Sequence, residues 1–319
     1  MNKKNILYPV CAESFKKWYL SNDKYKKIYL NLGKLELFDV TLRDGLQGLT
    51  KEEQDTFTII DKLKIYNNIK FKYAPKNIEV GSFVSEKVLP IFKDTLNVLK
   101  FVDTYTENIN NFIVMPNKNK FSELMNQHPE AQVNNISLIT SVSNSFQLKN
   151  TKMSLEVSDS DIHTILNNLA NDKNKRNVIT NVKLYVSCIN ECPIEGKIDN
   201  DFIVHRLLNL SKMKIDNICL SDTCGTLTLE DFEYIIDTCL YFGLQPSRLS
   251  LHLHVNPKRE STVEQIFWKA LDYKILQFDV SNLNTGGCSV TMKKEQLTPN
   301  LSYELYYKYL CNYIIKKVL

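Results

Sequence analysis

Short apolar runs alternate along this chain with longer segments whose apolar residues recur at helical spacing. These short runs are typical of buried strands. The first begins at Leu35, and the other seven cover residues 76–83, 111–115, 135–142, 181–189, 217–220, 249–255 and 275–280. Helices are predicted over residues 50–66, from 85, from 120, over 158–171, 201–213, 229–242 and 262–273, and from 301. The pattern therefore predicts eight strands, most of them followed by a helix.

This alternation favours a parallel sheet, and no linker rich in Pro, Gly or Ser divides it. Eight such units predict an α/β fold, a (β/α)8 TIM barrel, over residues 34–319, as a single catalytic domain with an additional C-terminal helix. Residues 1–33 are predicted to form an N-terminal extension, partly helical and packed on the outside through its aromatic residues. In this fold the carboxyl ends of the strands build the active site.

Composition narrows the classes of function. The 319 residues are 43% hydrophobic and 24% charged, with 40 basic and 36 acidic side chains. This balance argues against a nucleic-acid-binding surface, and no apolar run approaches the roughly 20 residues that span a bilayer. The first residues lack the apolar core and cleavage pattern of a signal peptide. Eight scattered cysteines are typical of reduced, buried thiols, so we expect a cytoplasmic protein.

The segment over residues 37–49 pairs a fixed cation, Arg43, with the carboxylate of Asp44. Both residues follow the first apolar run, and Gly45 comes directly after them, which suits a turn. Neighbouring residues on a strand face opposite ways, so the two side chains can share a site only where the strand ends. An isolated pair of this kind is usually a weak surface ion pair. Suitable partners elsewhere in the chain favour a site instead.

His252 and His254 alternate in the sequence LHLHV, so both imidazoles are predicted to point to one face of a strand. Two buried core histidines are the alternative reading. Asp44 can add a carboxylate, and Asn300 an amide oxygen from the final loop. Such a ligand set suits a divalent ion with open positions for substrate. Mg²⁺, Mn²⁺ and Zn²⁺ are not separated on this basis.

Two further carboxylates stand at strand ends. Glu79 lies among apolar residues of a predicted buried strand and needs a partner, for which Arg43 is the natural choice. A structural ion pair and a direct chemical role are both open for Glu79. Asp222, in the sequence LSDTCGT, precedes a glycine turn. It is a candidate base or hydroxyl acceptor, although a turn-forming role is the leading alternative.

Cys288 ends the sequence NTGGC, where two glycines permit an unusual backbone path. A thiol on such a loop is suited to donate a proton to substrate or to close over it. Cys188 and Cys192 resemble half of a zinc site, but the sequence offers no second pair with matching spacing. The remaining cysteines are predicted to be inert core thiols.

Together these segments resemble the 3-hydroxy-3-methylglutaryl-CoA lyase family, within the metal-dependent barrel superfamily named for its Asp-Arg-Glu signature. The resemblance is carried by RDGLQ (43–47), IEVGSFVSEKVLP (78–90), VMPNKNKF (114–121), YVSCINECPIEGKI (185–198), SDTCGT (221–226), HLH (252–254), DVSNLNTGGC (279–288) and PNLSYEL (299–305). It implies a TIM barrel that cleaves 3-hydroxy-3-methylglutaryl-CoA, or a close 3-hydroxyacyl-CoA, to acetyl-CoA and acetoacetate. The implied partner is an acyl-CoA substrate, with a homodimer left open.

The resemblance also implies roles for individual residues. Mg²⁺ or Mn²⁺ would be held by four ligands, namely Asp44, His252, His254 and Asn300. Arg43 would stabilise the enolate and, with Gln47, contact substrate, while Glu79 orients Arg43. Cys288, Asp222 and the metal-bound histidines would handle protons.

Three segments depart from the family pattern. After the histidine pair the family has Asp-Thr-Tyr-Gly, whereas this chain reads VNPKRE over residues 255–260. The family's cysteine loop has a further glycine where this chain has Asn284 and Thr285. The segment that follows, up to Asn300, is longer in this chain than in the family. We therefore expect metal binding to be retained while turnover is slow, or a related 3-hydroxyacyl-CoA to be preferred.

Two alternatives remain at this stage. One is a Claisen-type condensing enzyme of the same superfamily, which would join acetyl-CoA to a 2-oxo acid. The other is a catalytically degenerate barrel acting as a binding protein. The presence of Arg43, Asp44, Glu79, both histidines of the pair and Cys288 argues against degeneration.

Overall fold

Eight parallel strands close into one barrel in the computed structural model, which describes residues 8–103, 108–128, 131, 133–171, 180–288 and 290–319. In chain order the strands are β1 (Glu36–Asp39), β2 (Asn77–Ser82), β3 (Asn110–Met115), β4 (Asn135–Ser141), β5 (Asn181–Ser187), β6 (Asn217–Asp222), β7 (Leu249–Leu253) and β8 (Gln277–Val280). Each strand pairs with its neighbours in sequence, and β1 closes the ring against β8 with Phe38 opposite Asp279. The predicted (β/α)8 barrel is confirmed.

Helices connect the strands on the outside of the barrel, as their alternation with the strands requires. The α-helices are Ala12–Leu20, Asp23–Leu32, Lys51–Thr56, Ile59–Tyr73, Thr95–Asp103, Lys118–Gln127, Asn144–Thr151, Leu155–Asn171, Asn200–Ser211, Leu229–Tyr241, Glu260–Asp272 and Tyr303–Val318. Among these described helices, none is long and apolar enough to cross a membrane.

Two predicted helices differ from the structure, and one helix was not predicted. The single helix predicted over residues 50–66 is two helices, because Thr58 forms a second capping box directly after the first helix ends at Thr56. The helix predicted from Ser85 begins only at Thr95, after a 3₁₀ turn at Pro90–Phe92. Sequence periodicity also missed the helix Asn144–Thr151, although Ser143 caps it by accepting a hydrogen bond from the Phe146 amide.

The N-terminal extension contributes the helices Ala12–Leu20 and Asp23–Leu32, and residues 1–7 of it lie outside the described residues. Phe15 is buried and its ring stacks on Tyr307 of the last helix at a centroid distance of 5.4 Å. The contact between Phe15 and Tyr307 holds the extension against the last helix, on the outside of the barrel.

Candidate active site

Arg43 and Asp44 lie on one π-helical turn, Thr41–Gly45, which follows the end of β1. The Gly45 amide donates to the Val40 carbonyl at 3.1 Å and closes this wide turn. The first strand is thus shorter than its apolar run, which continues through Leu42. Because the chain leaves the strand before Arg43, the two adjacent side chains reach the same site. π-Turns inside proteins are frequent at functional sites.

The guanidinium of Arg43 is fixed from several sides. Its Nε donates to Glu79, and its Nη1 donates to Asp44 Oδ1 at 2.5 Å. The guanidinium carbon, Cζ, lies 4.9 Å from the centre of the Tyr185 ring. Glu79 is fully buried, and its Oε2 also accepts from the Tyr185 hydroxyl at 3.3 Å. The predicted pairing of Arg43 with Glu79 is confirmed. No described residue accepts a hydrogen bond from Nη2, and Arg43 lines the central cavity.

Asp44, His252 and His254 form a compact buried cluster. The Nε2 atoms of the two histidines are 3.2 Å apart, and His252 Nε2 is 3.8 Å from Asp44 Oδ2. One ligand atom from each residue lies within 4.8 Å of the others. The two imidazoles share a face of β7, as the alternation predicted. Within the described ranges, this is the one group of three or more His, Cys, Asp or Glu side chains placed to hold a metal ion.

The other ring nitrogens show how the imidazoles are oriented. His252 Nδ1 lies 3.1 Å from Asp279 Oδ2, and His254 Nδ1 lies 2.9 Å from the Thr298 carbonyl. Both partners are acceptors, so each Nδ1 carries the proton and each Nε2 presents a lone pair to the cluster. Burial, with His252 nearby, lowers the pKa of His254 to about 4. His254 is therefore neutral near pH 7, as a metal ligand must be.

The Asp44 carboxyl is ionised for a related reason. Burial alone would raise its pKa, but the neighbouring Arg43 guanidinium holds the pKa well below its usual range. An ionised carboxylate beside two imidazole nitrogens is a strong ligand set for a divalent cation.

Asn300 completes the set that the sequence suggested. It pairs with His254 through an isolated backbone bridge, and its Nδ2 donates to Asp44 Oδ2 at 3.0 Å and to the Thr285 carbonyl at 3.1 Å. Its Oδ1 is buried, and no described group donates a hydrogen bond to it. A buried amide oxygen without a donor normally costs stability. The residues present therefore fit a divalent metal, with this oxygen as one more ligand atom.

The cysteine loop approaches the cluster closely. The Gly287 amide donates to Asp44 Oδ2 at 3.0 Å. A Cβ on Gly286 would lie 2.4 Å from Asn300 Nδ2, so no other residue fits there without movement. Cys288 lines the same cavity as Arg43, its thiol lies 3.4 Å from Asn150 Oδ1, and burial raises its pKa. The group is therefore a thiol, able to give a proton, near neutral pH.

Asp222 behaves differently from the other predicted site residues. Its Oδ1 accepts from the Thr226 amide at 3.0 Å, and its Oδ2 accepts from the Leu227 amide at 3.1 Å. Burial raises its pKa to about 6. The described cavity lining includes Ser221 and Thr223 but not Asp222. These contacts favour the turn-forming alternative and leave the proposed proton-transfer role unsupported.

Replacing Asp222 separates the two roles. We expect Asp222→Asn to retain catalytic activity and metal affinity, since an amide oxygen still accepts a backbone hydrogen bond. Asp222→Ala should lower the free energy of unfolding by about 1–3 kcal/mol, because buried amides lose their acceptor. Denaturant unfolding of both variants, with Mn²⁺ titration of each, measures this. A stable Asp222→Asn protein with normal Mn²⁺ affinity and no activity would instead make Asp222 a proton-transfer group.

The altered segment over residues 255–260 supports the same turn. Asn256 caps a 3₁₀ turn, Pro257–Arg259, by accepting from the Lys258 amide. Arg259 then donates to the Gly225 carbonyl at 3.2 Å and to the Leu227 carbonyl at 3.0 Å. Sequence reasoning treated this segment only as a departure and missed its link to the Asp222 turn.

A cavity of 340 Å³ joins these features. At its polar end are Arg43, Asp44, Gln47, both histidines of the pair and Cys288, and its apolar wall includes Val84, Val114, Ile139, Phe146 and Val290. Gln47 thus lines the same cavity as Arg43, and its contact with substrate stays a prediction. The structure also adds Asn150, Tyr185 and Asp279 to the site, for which the sequence pattern gave no signal beyond a polar residue on a strand or helix.

Known proteins share this arrangement of segments. The HMGL-like family model matches residues 34–256. Hydroxymethylglutaryl-CoA lyase YngG of Bacillus subtilis is 26% identical over 255 residues, covering 80% of this chain and 79% of that protein. The 3-hydroxy-3-isohexenylglutaryl-CoA/hydroxy-methylglutaryl-CoA lyase of Pseudomonas aeruginosa is 25% identical over 80% of this chain and 78% of its own length.

The fold is shared as well. The crystal structure of hydroxymethylglutaryl-CoA lyase from Pseudomonas aeruginosa superposes with a TM-score of 0.71 at 22% identity, over 89% of this chain and 93% of that one. The family model covers the barrel from β1 to the end of β7, including Arg43, Asp44 and the histidine pair. On this evidence of sequence and fold, the chain belongs to the HMGL-like family.

Proposed function

We propose that this protein is a divalent-metal-dependent carbon–carbon lyase that cleaves 3-hydroxy-3-methylglutaryl-CoA, or a close 3-hydroxyacyl-CoA, by a retro-Claisen reaction. The observation that carries the proposal is the convergence of three groups on one cavity. These are the Asp44–His252–His254 cluster, the fixed guanidinium of Arg43 and the thiol of Cys288. The curated relatives that are lyases of this substrate class support the same reaction.

Asp44, His252, His254 and Asn300 would hold Mg²⁺ or Mn²⁺. A bound ion of this kind supplies Lewis acidity that favours loss of the proton from a substrate hydroxyl. The protein contributes orientation, since both Nδ1 atoms and the Asn300 amide nitrogen are already engaged by acceptors. The Nε2 atoms of both histidines and Asn300 Oδ1 are thereby left available as ligand atoms for the ion.

Arg43 is placed to stabilise charge that develops during cleavage. When the bond between C2 and C3 of the substrate breaks, its electron pair passes to C2 and delocalises onto the thioester oxygen. Arg43 has Nη2 available to that oxygen, while Glu79 and Asp44 fix the rest of the fork. A donor used in this way is worth about 2.7–4 kcal/mol of transition-state stabilisation.

Cys288 is placed to complete the reaction. The C3 hydroxyl gives its proton to a solvent base and becomes the ketone of acetoacetate. C2 of the departing enolate then takes one proton to become the methyl group of acetyl-CoA, so the reaction takes up and releases no net proton. The Cys288 thiol, kept protonated by burial, is a suitable donor at the cavity wall. Lys120 and Lys152 also line the cavity, where their charge suits the phosphates of a CoA ester.

A direct assay tests the proposal. Purified protein, first treated with chelator and then supplied with Mn²⁺ or Mg²⁺, should convert 3-hydroxy-3-methylglutaryl-CoA to acetoacetate and acetyl-CoA in equal amounts. A panel of 3-hydroxyacyl-CoA esters with larger C3 substituents tests the width of the apolar wall. Failure to cleave any of them, with release of free CoA from acetyl-CoA and a 2-oxo acid, would favour the condensing alternative.

The altered segment after the histidines should limit the rate. Pro257 fixes its own backbone and biases Asn256 toward extended conformations, so the segment cannot follow the family path. Misplacement of reacting groups by about 1 Å can cost on the order of 100-fold in rate. We therefore expect the quadruple variant Val255→Asp, Asn256→Thr, Pro257→Tyr, Lys258→Gly, which retains Arg259, to raise kcat by about 10- to 100-fold.

The single variant Lys258→Gly is the matched control, since it shortens an exposed side chain without removing the proline. Steady-state kinetics with equal Mn²⁺ loading would compare the proteins. A quadruple variant that folds, binds Mn²⁺ and turns over no faster than the unmodified chain would show that this departure is neutral.

A further inference from the structure

A buried lysine occupies the interior of the barrel directly beneath the histidine pair. Lys183 of β5 is 1% exposed, and its Nζ lies 3.4 Å from the centre of the Phe38 ring and 4.6 Å from that of Tyr185. Its Nζ donates to Asp279 Oδ1 of β8, which is also 1% exposed. Charged side chains are almost never buried this fully unless they are paired.

The same carboxylate reaches the site. Asp279 Oδ2 lies 3.1 Å from His252 Nδ1 and accepts more weakly from the Cys219 thiol at 3.6 Å. A continuous chain therefore runs from Lys183 through Asp279 to His252 and ends at the metal-ligand cluster. The second histidine differs, because His254 Nδ1 faces only the neutral carbonyl of Thr298.

We propose that Asp279, held in place by Lys183, is a positioning residue that fixes the ring orientation and Nδ1–H tautomer of His252. This inference rests on the proposed metal-dependent function. A carboxylate that accepts from an imidazole raises the basicity of that imidazole as a ligand. The Lys183–Asp279–His252 hydrogen bonds therefore make His252 the stronger of the two nitrogen ligands. Loss of such an outer partner typically lowers metal affinity by 10- to 100-fold.

The lysine explains how a carboxylate is tolerated at this depth. An unpaired buried charge is strongly disfavoured, whereas a pair replaced by apolar residues of similar volume is often neutral in stability. The aromatic rings of Phe38 and Tyr185 add favourable contacts to the ammonium group. A useful test must therefore remove both charges together.

The double variant Lys183→Met, Asp279→Leu removes the hydrogen bonds from Lys183 through Asp279 to His252 while keeping an apolar interior. Its Mn²⁺ dissociation constant, measured by calorimetry, should rise by about 10- to 100-fold. The ¹⁵N spectrum of the imidazoles, with the His252 signals assigned through a His252→Gln variant, should show His252 in the Nδ1–H form in the unmodified protein. In the double variant the Nε2–H form should become populated. If the double variant fails to fold, Lys183→Leu, Asp279→Val is a second apolar pair that offers His252 Nδ1 no acceptor.

A second Lys–Asp pair, in which Lys62 is buried and Asp94 half-buried, provides the control. Lys62 donates to Asp94 and lies outside the barrel interior, so Lys62→Met, Asp94→Leu removes a similar pair away from the site. The Mn²⁺ dissociation constant of this control should stay within about twofold of the unmodified value. That change is much smaller than the rise of about 10- to 100-fold expected when an outer partner of a metal ligand is lost. Equal Mn²⁺ affinity of the folded Lys183–Asp279 variant and the unmodified protein, or an unchanged His252 tautomer, would overturn the inference. Unmodified protein that binds Mn²⁺ tightly but cleaves no 3-hydroxyacyl-CoA to acetyl-CoA would overturn the proposed function and leave this inference standing.

Discussion

Arg43→Lys is expected to lower kcat for cleavage of the C2–C3 bond by about 10²- to 10³-fold while the Mn²⁺ dissociation constant changes little. Lysine keeps the positive charge but loses the planar fork that meets Glu79, Asp44 and substrate at once. Because the lost contact forms fully only in the transition state, kcat and kcat/KM should fall together. Steady-state kinetics with calorimetric Mn²⁺ titration of the same preparation would measure both quantities.

Arg248→Lys is a suitable control for this experiment. Arg248 donates to the backbone carbonyls of Ser211, Met213 and Ile215 and does not line the cavity, so its replacement should affect stability rather than turnover. A near-normal rate for Arg43→Lys would reduce Arg43 to a structural partner of Glu79.

His254→Ala is expected to weaken Mn²⁺ binding at least about tenfold and to abolish activity at metal concentrations that saturate the unmodified protein. The residue supplies a neutral imidazole whose Nε2 lies 3.2 Å from that of His252, so its loss opens one side of the ligand set. Chelator should abolish activity of the unmodified enzyme, and added Mn²⁺ or Mg²⁺ should restore it. Calorimetry and a chelator-rescue assay would follow both effects.

The exposed His163, on the helix Leu155–Asn171, provides the matched control, and His163→Ala should bind Mn²⁺ normally. Circular dichroism of each variant would confirm that the barrel remains folded. Unchanged Mn²⁺ affinity in both His252→Ala and His254→Ala would remove these residues from the metal site.

Periodicity in the sequence was enough to predict the barrel and the histidine pair. Alternation places His252 and His254 on one face whatever the rest of the structure does, and a lone carboxylate in a buried strand requires a partner such as Arg43. The wide turn at Thr41–Gly45 was foreseen only in outline, because nothing local distinguishes a π-turn from an ordinary one.

Other features depend on contacts between distant segments, which a single sequence does not show. The Lys183–Asp279 pair joins two strands that meet only inside the closed barrel, and each residue alone resembles an ordinary polar strand position. The roles open for Asp222 were separable only once the Thr226 and Leu227 amides were seen to occupy its oxygens. The break at Thr58 was readable in principle, since its capping box lies in the sequence, but apolar periodicity continues across it.

The contact between Asp44 and Asn300 spans 256 residues of the chain, and it crosses the seam where β1 meets β8. Bringing Asp44 and Asn300 together closes a very long loop, which costs more conformational entropy than a local contact does. We therefore expect the metal site to be one of the last features to form during folding. Mn²⁺ binding followed during refolding would then report completion of the ring rather than formation of individual βα units. The ion would also stabilise the closed barrel. A ligand that binds only the folded protein raises the free energy of unfolding with the logarithm of the free ligand concentration.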